Sequence, residues 1–435
     1  MTTKLLYNCQ ILTMLNENIM EHAAVGITSD RITMVTQNPE EVERFVEQNP
    51  SCEKVDCRGQ LVMPGLINTH THSSMTLMRN LYENMELMTW LQDHVWKFEA
   101  HLTDDDIEAG ARLSMAEMIL GGTTTFVDMY FSMARVARAA KDMGMRALLT
   151  ETLIVGREES FIQSLEELAA QVKDSQIVRA GVAPHAPYTI PPSSAEVALR
   201  EAAKYSIMIN AHLSETSTEE EGTQKEYGCS ATEYFDRCGF LREGTILAHC
   251  VRLDTNSIEI IKKRGCSVAH CPESNMKLAS GVAPLIEMHR AGVNCTIATD
   301  GVCSNNDLDM WGEMRSAALL QRVANLDPIA ISPFEILKMA TVNGAKAIGK
   351  EGELGVIKEG ALADIIVVNT SLPHHRPRHN IISSLIFCGR ASDVTMTIIA
   401  GKILYADGVL LHCDVEKLCQ DVERRSYSIL SKMSE

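Results

Sequence analysis

Pro64-Gly65-Leu66-Ile67-Asn68-Thr69-His70-Thr71-His72 brings an apolar run to an end on two imidazoles. Side chains at i and i+2 of a strand share a face, so His70 and His72 project together from the strand's C-terminal end. Alone, such a pair reads as readily as two buried structural histidines as it does as two ligands of one ion. The pattern around it decides. Apolar runs at 61–68, 123–129, 147–153, 180–184, 207–211, 245–248, 267–269 and 295–298 alternate with amphipathic stretches such as 105–120, 160–172, 193–204, 255–264 and 284–291. Strands and helices in strict alternation, eight times over, predict a parallel (β/α)8 barrel of the TIM type. The competing arrangement is an open doubly wound sheet. It lacks support, because no GxGxxG or GxxxxGK[ST] follows the first strand.

Outside that region the periodicity changes. Runs at 5–14, 23–27 and 32–35 read as short strands, with Ser29-Asp30-Arg31 as a turn. The far end repeats this at 364–369, 394–399 and 402–405, closed by Asp407-Gly408. The two β-rich ends are expected to pair into one small β-sandwich domain. The expected division is 1–61 for its N-terminal part, 62–355 for the barrel, and 356–435 for its C-terminal part and a terminal helix. Helical patterns at 310–323 and 333–348 continue the barrel region.

Composition narrows the function. With 45% hydrophobic and 22% charged residues the chain of 435 residues reads as globular, with ample length for a core. A net charge of −17 repels phosphate backbones and anionic lipid, so neither a nucleic-acid polymer nor a membrane is an expected partner. No apolar stretch approaches the roughly 20 residues of a membrane helix, and the N-terminal run is too short for a signal sequence. The 13 cysteines are odd in number and scattered, with no CxxC pair, which suits a reduced, cytoplasmic protein.

Of 14 histidines, His70, His72, His185, His212, His249 and His270 fall at the C-terminal ends of candidate barrel strands, and Asp300 ends the eighth. Those ends share one rim, where barrels of this kind carry their active sites. His70, His72, His212 and Asp300 together offer three imidazole nitrogens and one carboxylate, a set suited to one divalent ion, Zn²⁺ first and Fe²⁺ second, with a position left for water. Glu215 lies just beyond His212 and can carry protons over that water, whereas Glu219, Glu220 and Glu221 read as an exposed acidic run. His249 is expected to face the same water or the developing oxyanion. His270 receives no role.

These residues together resemble the amidohydrolase superfamily. The likeness rests on the segment 64–72, on His212 and His249, and on Thr299-Asp300-Gly301, and it spans nearly the whole chain. The fourth strand ends in Ala183-Pro184-His185 without the lysine that bridges two metals in binuclear members, so the resemblance implies a single metal. Within the superfamily the chain is similar to the methylthioadenosine/S-adenosylhomocysteine deaminases. The matching segments are His72 to Arg79, Asp128-Met129-Tyr130, His212 to Glu215, Ser274 to Leu278 and Asp300 to Asn306.

That resemblance implies hydrolytic deamination at C6 of an adenine nucleoside, giving the inosine analogue and ammonia. Candidate substrates are 5′-methylthioadenosine, S-adenosylhomocysteine, 5′-deoxyadenosine and adenosine. Glu99 is implied to hold the ribose hydroxyls, Trp90 to line the nucleoside pocket and His185 to touch substrate. Asp300 would take the water's proton, Glu215 would protonate the ring nitrogen beside C6, and His249 would steady the new oxygen. The expected partner is therefore a small nucleoside, with homo-oligomer formation left open. The alternative is an amidohydrolase acting on another nitrogen heterocycle, such as guanine or a triazine, which has no ribose for Glu99 to hold. Members of the family often carry an arginine after the third strand; this chain has Glu151 there and Arg157 farther on. Read as facing the pocket, Glu151 predicts poorer turnover of S-adenosylhomocysteine than of the uncharged nucleosides; the alternative is that Glu151 points away and Arg157 reaches the tail.

Overall fold

The computed structural model describes residues 2–83 and 85–433; Met1, Ser434 and Glu435 of the expected terminal segments lie outside the described residues. Eight parallel strands form one sheet in chain order: Leu66–Thr71, Thr123–Tyr130, Arg146–Leu153, Val178–Pro184, Met208–Leu213, Ile246–His249, Ser267–His270 and Asn294–Ile297. The second and third are buried along their whole length, as strands covered on both faces must be. The first and last meet without a regular ladder. Asp300 N donates to His70 O at 3.0 Å, Thr69 Oγ1 and Thr296 Oγ1 lie 2.6 Å apart, and Asn68 grips Thr299 through both ends of its amide. These contacts close the barrel. Ile67, Val127, Leu148, Ile246 and Ala269, from five of its strands, pack with Ala345 and Ile348 into a separate apolar plug.

Helices form where capping chemistry and apolar spacing agree. Thr103 caps Asp104–Leu120 in a capping box with Asp106, and the three acids of the first turn complement the helix dipole. Thr255–Arg264 starts on the Asp254 cap and ends in Lys262, Lys263 and Arg264. The helix Pro39–Gln48, opened by an Asn38 cap, and the strand Glu53–Asp56 interrupt the β pattern of the first sixty residues. The region expected as one helix at 333–348 divides into Pro333–Met339 and Val342–Ala347.

One expected strand changes allegiance. The run 61–68 breaks at Gly65, and only Leu66–Thr71 enters the barrel. Leu61–Pro64 pairs parallel with Thr3–Leu12 on one side and antiparallel with Ile365–Val368 on the other. It is the strand through which the two chain ends join, in one continuous nine-stranded sheet. We therefore place the first domain boundary at Gly65 rather than at residue 62. At the second boundary, Leu354 packs in the barrel plug while Val356 and Ile357 pack in the core of the terminal sheet. No helix among the described residues is long and apolar enough to cross a membrane.

A buried ion pair ties the two units together. Arg146, at the start of the third barrel strand, meets Asp364 through two bonds of 2.7 and 2.9 Å, and Asp364 also accepts from Ala400 N at 2.8 Å. Removing one partner strands the other charge in a dry site, which costs about 3–5 kcal/mol. Asp364→Ala is expected to lower the urea midpoint accordingly, and the double variant Arg146→Met/Asp364→Leu to recover part of the loss.

Candidate active site

The C-terminal strand ends converge on one cavity of about 630 Å³, counted to its open mouth. His72, Trp90, Glu99, His185, His212, Glu215, His249 and Asp300 all line it, and His70 lies fully buried within bonding reach of Asp300. Every residue expected as a ligand, proton carrier or substrate contact is therefore gathered there, whereas Glu151 is not. Three of the strand ends pass through left-handed backbone to deliver them: Ser214 at φ 53°, His249 at 71° and Asp300 at 63°. Such conformations cost energy for residues other than glycine and persist where the surroundings over-determine them. Gly301 is required by close approach: a Cβ there would sit 2.9 Å from Met75 Sδ and 3.2 Å from the His72 side chain.

Four side chains present ligand atoms within 4.8 Å of one another: His70, His72, His212 and Asp300. His72 Nδ1 donates to Met129 O at 2.6 Å and His212 Nδ1 to His185 O at 2.9 Å. Those bonds fix the tautomers, so both Nε2 atoms present lone pairs to each other across 3.2 Å. Against its own burial, the His72 imidazole is raised to about 9 by Asp300, so a positive charge is favoured between these rings. Asp300 Oδ1 lies 3.1 Å from His72 Nε2 and 3.4 Å from His70 Nε2. Both His70 nitrogens are buried without a hydrogen-bond partner among the described residues. A cation among these four groups satisfies all of them, so the donor set fits a divalent metal. Burial pushes the His70 imidazole down to about 4 and His212 well below its ordinary value, keeping both neutral as ligands must be. Asp300 is buried, which opposes ionisation, yet His70 and His72 hold its carboxyl well below the usual range. Its Oδ2 accepts from Ser274 Oγ and Ser304 Oγ, both at 2.7 Å, leaving Oδ1 toward the histidines.

Around this cluster stand the groups able to move protons. Glu215 is buried, and burial raises its carboxyl above the usual range. It lies 3.9 Å from His249 Nε2. Against its own burial, His249 is raised by the charges of Glu215 and Asp300, and its Nδ1 meets Asn275 Oδ1 at 3.0 Å. Farther out, Glu99 accepts from Tyr130 OH at 2.6 Å and is pushed up to about 7 by burial. Trp90 and Glu99 belong to one helical run, Leu87–Trp90, Leu91–Val95 and Trp96–Glu99, whose middle turn is a wide π turn. Such turns re-aim side chains, and here Trp90, Trp96 and Glu99 all reach the cavity. His185, held by Thr189 Oγ1 at 3.0 Å and pushed down to about 3 by burial, faces it as a neutral ring.

Two expectations change. Glu219 is not part of an exposed run: it is 5% exposed, and its carboxylate accepts from Ser214 N at 2.7 Å and Glu215 N at 2.9 Å. It thereby holds the left-handed turn that aims Glu215. The signal was Thr216-Ser-Thr-Glu219, a helix-start pattern in which the fourth residue reaches back over the first turn. Glu151 does not face the pocket. It is 2% exposed and accepts from Ser132 N and Met133 N, the start of helix Met133–Met143. Arg157 instead lies over the ring of Phe131, a pocket-lining residue, at 5.0 Å. His270 is fully buried outside the pocket lining, and burial pushes it down to about 4. Sequence reasoning also passed over Trp96, Phe131 and Tyr188, which line the cavity.

The chain belongs to the amidohydrolase family, whose model matches residues 61–404. It is 40% identical over 384 residues to a Desulforamulus reducens protein named 5-methylthioadenosine/S-adenosylhomocysteine deaminase, covering 87% of this chain and 89% of that one. A Thermococcus kodakarensis protein of the same name is 44% identical over 388 residues, covering 88% and 89%. Among solved structures, a zinc-bound adenosine deaminase from Xanthomonas campestris superposes with a TM-score of 0.95 at 32% identity, over 99% of both chains. The protein is thus a hydrolase acting on C–N bonds in a deaminase reaction, with a site for a divalent metal.

His70→Ala, His212→Ala and Asp300→Ala are each expected to abolish hydrolysis and to lower bound metal, because each removes one donor of four. Glu215→Gln is expected to keep its metal while kcat falls by on the order of 10²-fold or more. Metal analysis beside steady-state kinetics separates the two groups.

Proposed function

We propose that this chain is a hydrolytic deaminase of adenine nucleosides, acting on 5′-methylthioadenosine, S-adenosylhomocysteine, 5′-deoxyadenosine or adenosine with one Zn²⁺ as its metal. The observation that carries this reading is a pair of carboxyls in one cavity with opposite proton affinities: Asp300 held low, Glu215 raised. Aromatic C6 resists attack until the neighbouring ring nitrogen is protonated, so the reaction needs a base and an acid at the same time. The relatives' names and the zinc-bound neighbour support the substrate class and the metal.

The bound metal supplies Lewis acidity to water and charge stabilisation to the oxygen that adds to the ring. His70, His72, His212 and Asp300 hold it. Asp300, ionised and steered by Ser274 and Ser304, accepts the water's proton and returns it to the C6 amino group, which leaves as ammonia when the C6–N bond breaks. Glu215, its proton affinity raised by burial, donates to the ring nitrogen beside C6. His249 in its imidazolium form carries N–H groups on both nitrogens: Nδ1–H goes to Asn275 and Nε2–H is left for the developing oxygen. Trp90 lines the base pocket, His185 contacts substrate, and Glu99, oriented by Tyr130, accepts from the ribose hydroxyls. Arg157, stacked on Phe131, is the partner for an anionic tail. The expected partner remains a small nucleoside, and the 13 free cysteines suit a cytoplasmic protein.

A panel of these nucleosides with free adenine and guanine, followed by ammonia release, tests the reading. Nucleosides should react and free bases should not; equal rates for adenine and its nucleosides overturn it. Loss of a ribose hydroxyl should cost roughly 5- to 150-fold in kcat/KM, and Glu99→Ala should erase that preference. Because the carboxylate is the accepting form and Glu99 titrates at about 7, KM should fall as pH rises from 6 to 8 and stay flat in Glu99→Gln. Arg157→Ala should lower kcat/KM for S-adenosylhomocysteine by roughly 10-fold or more and leave methylthioadenosine within about twofold, the size of one charge-assisted bond.

A further inference from the structure

A second cluster of imidazoles and carboxylate lies away from the rim, beside the terminal sheet. His374 and His375 close the short turn Pro373–His375, which follows strand Ile365–Val368. Asp393 ends the turn Ala391–Asp393, which leads into strand Val394–Ile399. His374 Nε2 lies 3.1 and 3.0 Å from the two Asp393 oxygens, and His375 Nε2 lies 3.0 Å from Oδ2. One ligand atom from each residue lies within 4.8 Å of the others. The Asp393 and His375 side chains are buried, whereas that of His374 is 25% exposed.

Three features of this cluster are those of a metal site. The nitrogen facing the carboxylate is Nε2 in both rings, and His375 Nδ1 meets Ser384 Oγ at 2.6 Å. A ligating imidazole commonly gives its other N–H to an oxygen, which fixes the ring and its tautomer. Asp393 is oriented in turn by Arg390 N at 2.9 Å. The spacing also fits. Zinc bonds of about 2.0–2.2 Å in tetrahedral geometry set neighbouring donors about 3.3 Å apart. The 3.0–3.1 Å found here therefore needs an opening of only a few tenths of an ångström. Finally, the exposed edge of His374 gives an ion a way in and leaves room for water as a further ligand.

We propose that His374, His375 and Asp393 form a second site for a divalent transition metal, separate from the catalytic set. Two imidazole nitrogens with one carboxylate favour Zn²⁺ or its neighbours over Mg²⁺ and Ca²⁺. Both rings bind through Nε2 as neutral tautomers with their hydrogen on Nδ1, and Asp393 binds as the carboxylate. The ion clips together both ends of the excursion 369–393. Its helix Ile381–Phe387 packs against the barrel helices Met310–Asn325 and Pro333–Met339. The site therefore fastens the terminal sheet's excursion to the barrel, and its loss is expected in stability rather than in turnover.

The test uses the full chain, stripped with a chelator and dialysed against micromolar free Zn²⁺, with zinc per chain read by plasma mass spectrometry. The parent is expected to hold two equivalents and His374→Ala one, with kcat of the loaded variant unchanged. His212→Ala, which breaks the catalytic set, should retain the equivalent at His374. The second equivalent should raise Tm by a few degrees in the parent and in His212→Ala but not in His374→Ala. The substitution is placed at the half-exposed His374, and retained activity reports that the variant is folded. A parent and a His374→Ala variant that bind the same amount of zinc overturn the proposal, as does a His212→Ala variant that binds none.

Discussion

Closure of the barrel between its first and last strands is the contact on which the site depends. Asp300 donates its N–H to His70 O, and that single bond sets the eighth strand's carboxylate against the first strand's imidazoles. Asn68 and Thr299 brace the junction through the amide of one and the backbone and hydroxyl of the other. An antiparallel or open sheet would leave these two ends far apart. Here the ring returns them to each other, and His212 arrives from the strand opposite in order. The left-handed turn at Asp300 and the missing side chain at Gly301 are the local concessions that let the approach be this close.

Burial then does most of the electrostatic work. Desolvation makes the charged form of any group costly, so it neutralises His70, His185 and His212 and raises Glu215 and Glu99. Asp300 escapes that trend because two imidazoles and two hydroxyls surround it. One physical effect, applied to groups with different neighbours, thus pulls the proton affinities of Asp300 and Glu215 apart within one cavity. Glu219 belongs to the same logic. Buried and bonded to two backbone N–H groups, it fixes the turn that carries Glu215 without touching the cavity itself.

The pocket wall is assembled from parts with little in common beyond position. A helical run with one wide turn supplies Trp90, Trp96 and Glu99, and the second strand supplies Tyr130 to orient Glu99. Phe131 adds an aromatic wall with Arg157 over its ring, in a chain whose net charge is −17.

Residue spacing alone determined the barrel, the rim of histidines and the ligand set, because strand periodicity is local and a parallel barrel sends every strand's C-terminal end to one face. The His-x-His pair, His212, Glu215, His249 and Asp300 were legible for that reason. Glu99 and Trp90, and the role of His185, were legible only through resemblance, since a lone acid or aromatic has no periodic signature. What the tertiary structure decided were the questions of direction. Leu61–Pro64 joined the terminal sheet because its neighbours on both sides lie at opposite ends of the chain. Glu151 and Glu219 turned inward to backbone N–H groups that sequence leaves invisible, while Arg157 came to lie over the ring of Phe131. A carboxylate's partner is set by which donors the fold strips of water, and that is a property of the packed chain rather than of the order of its residues.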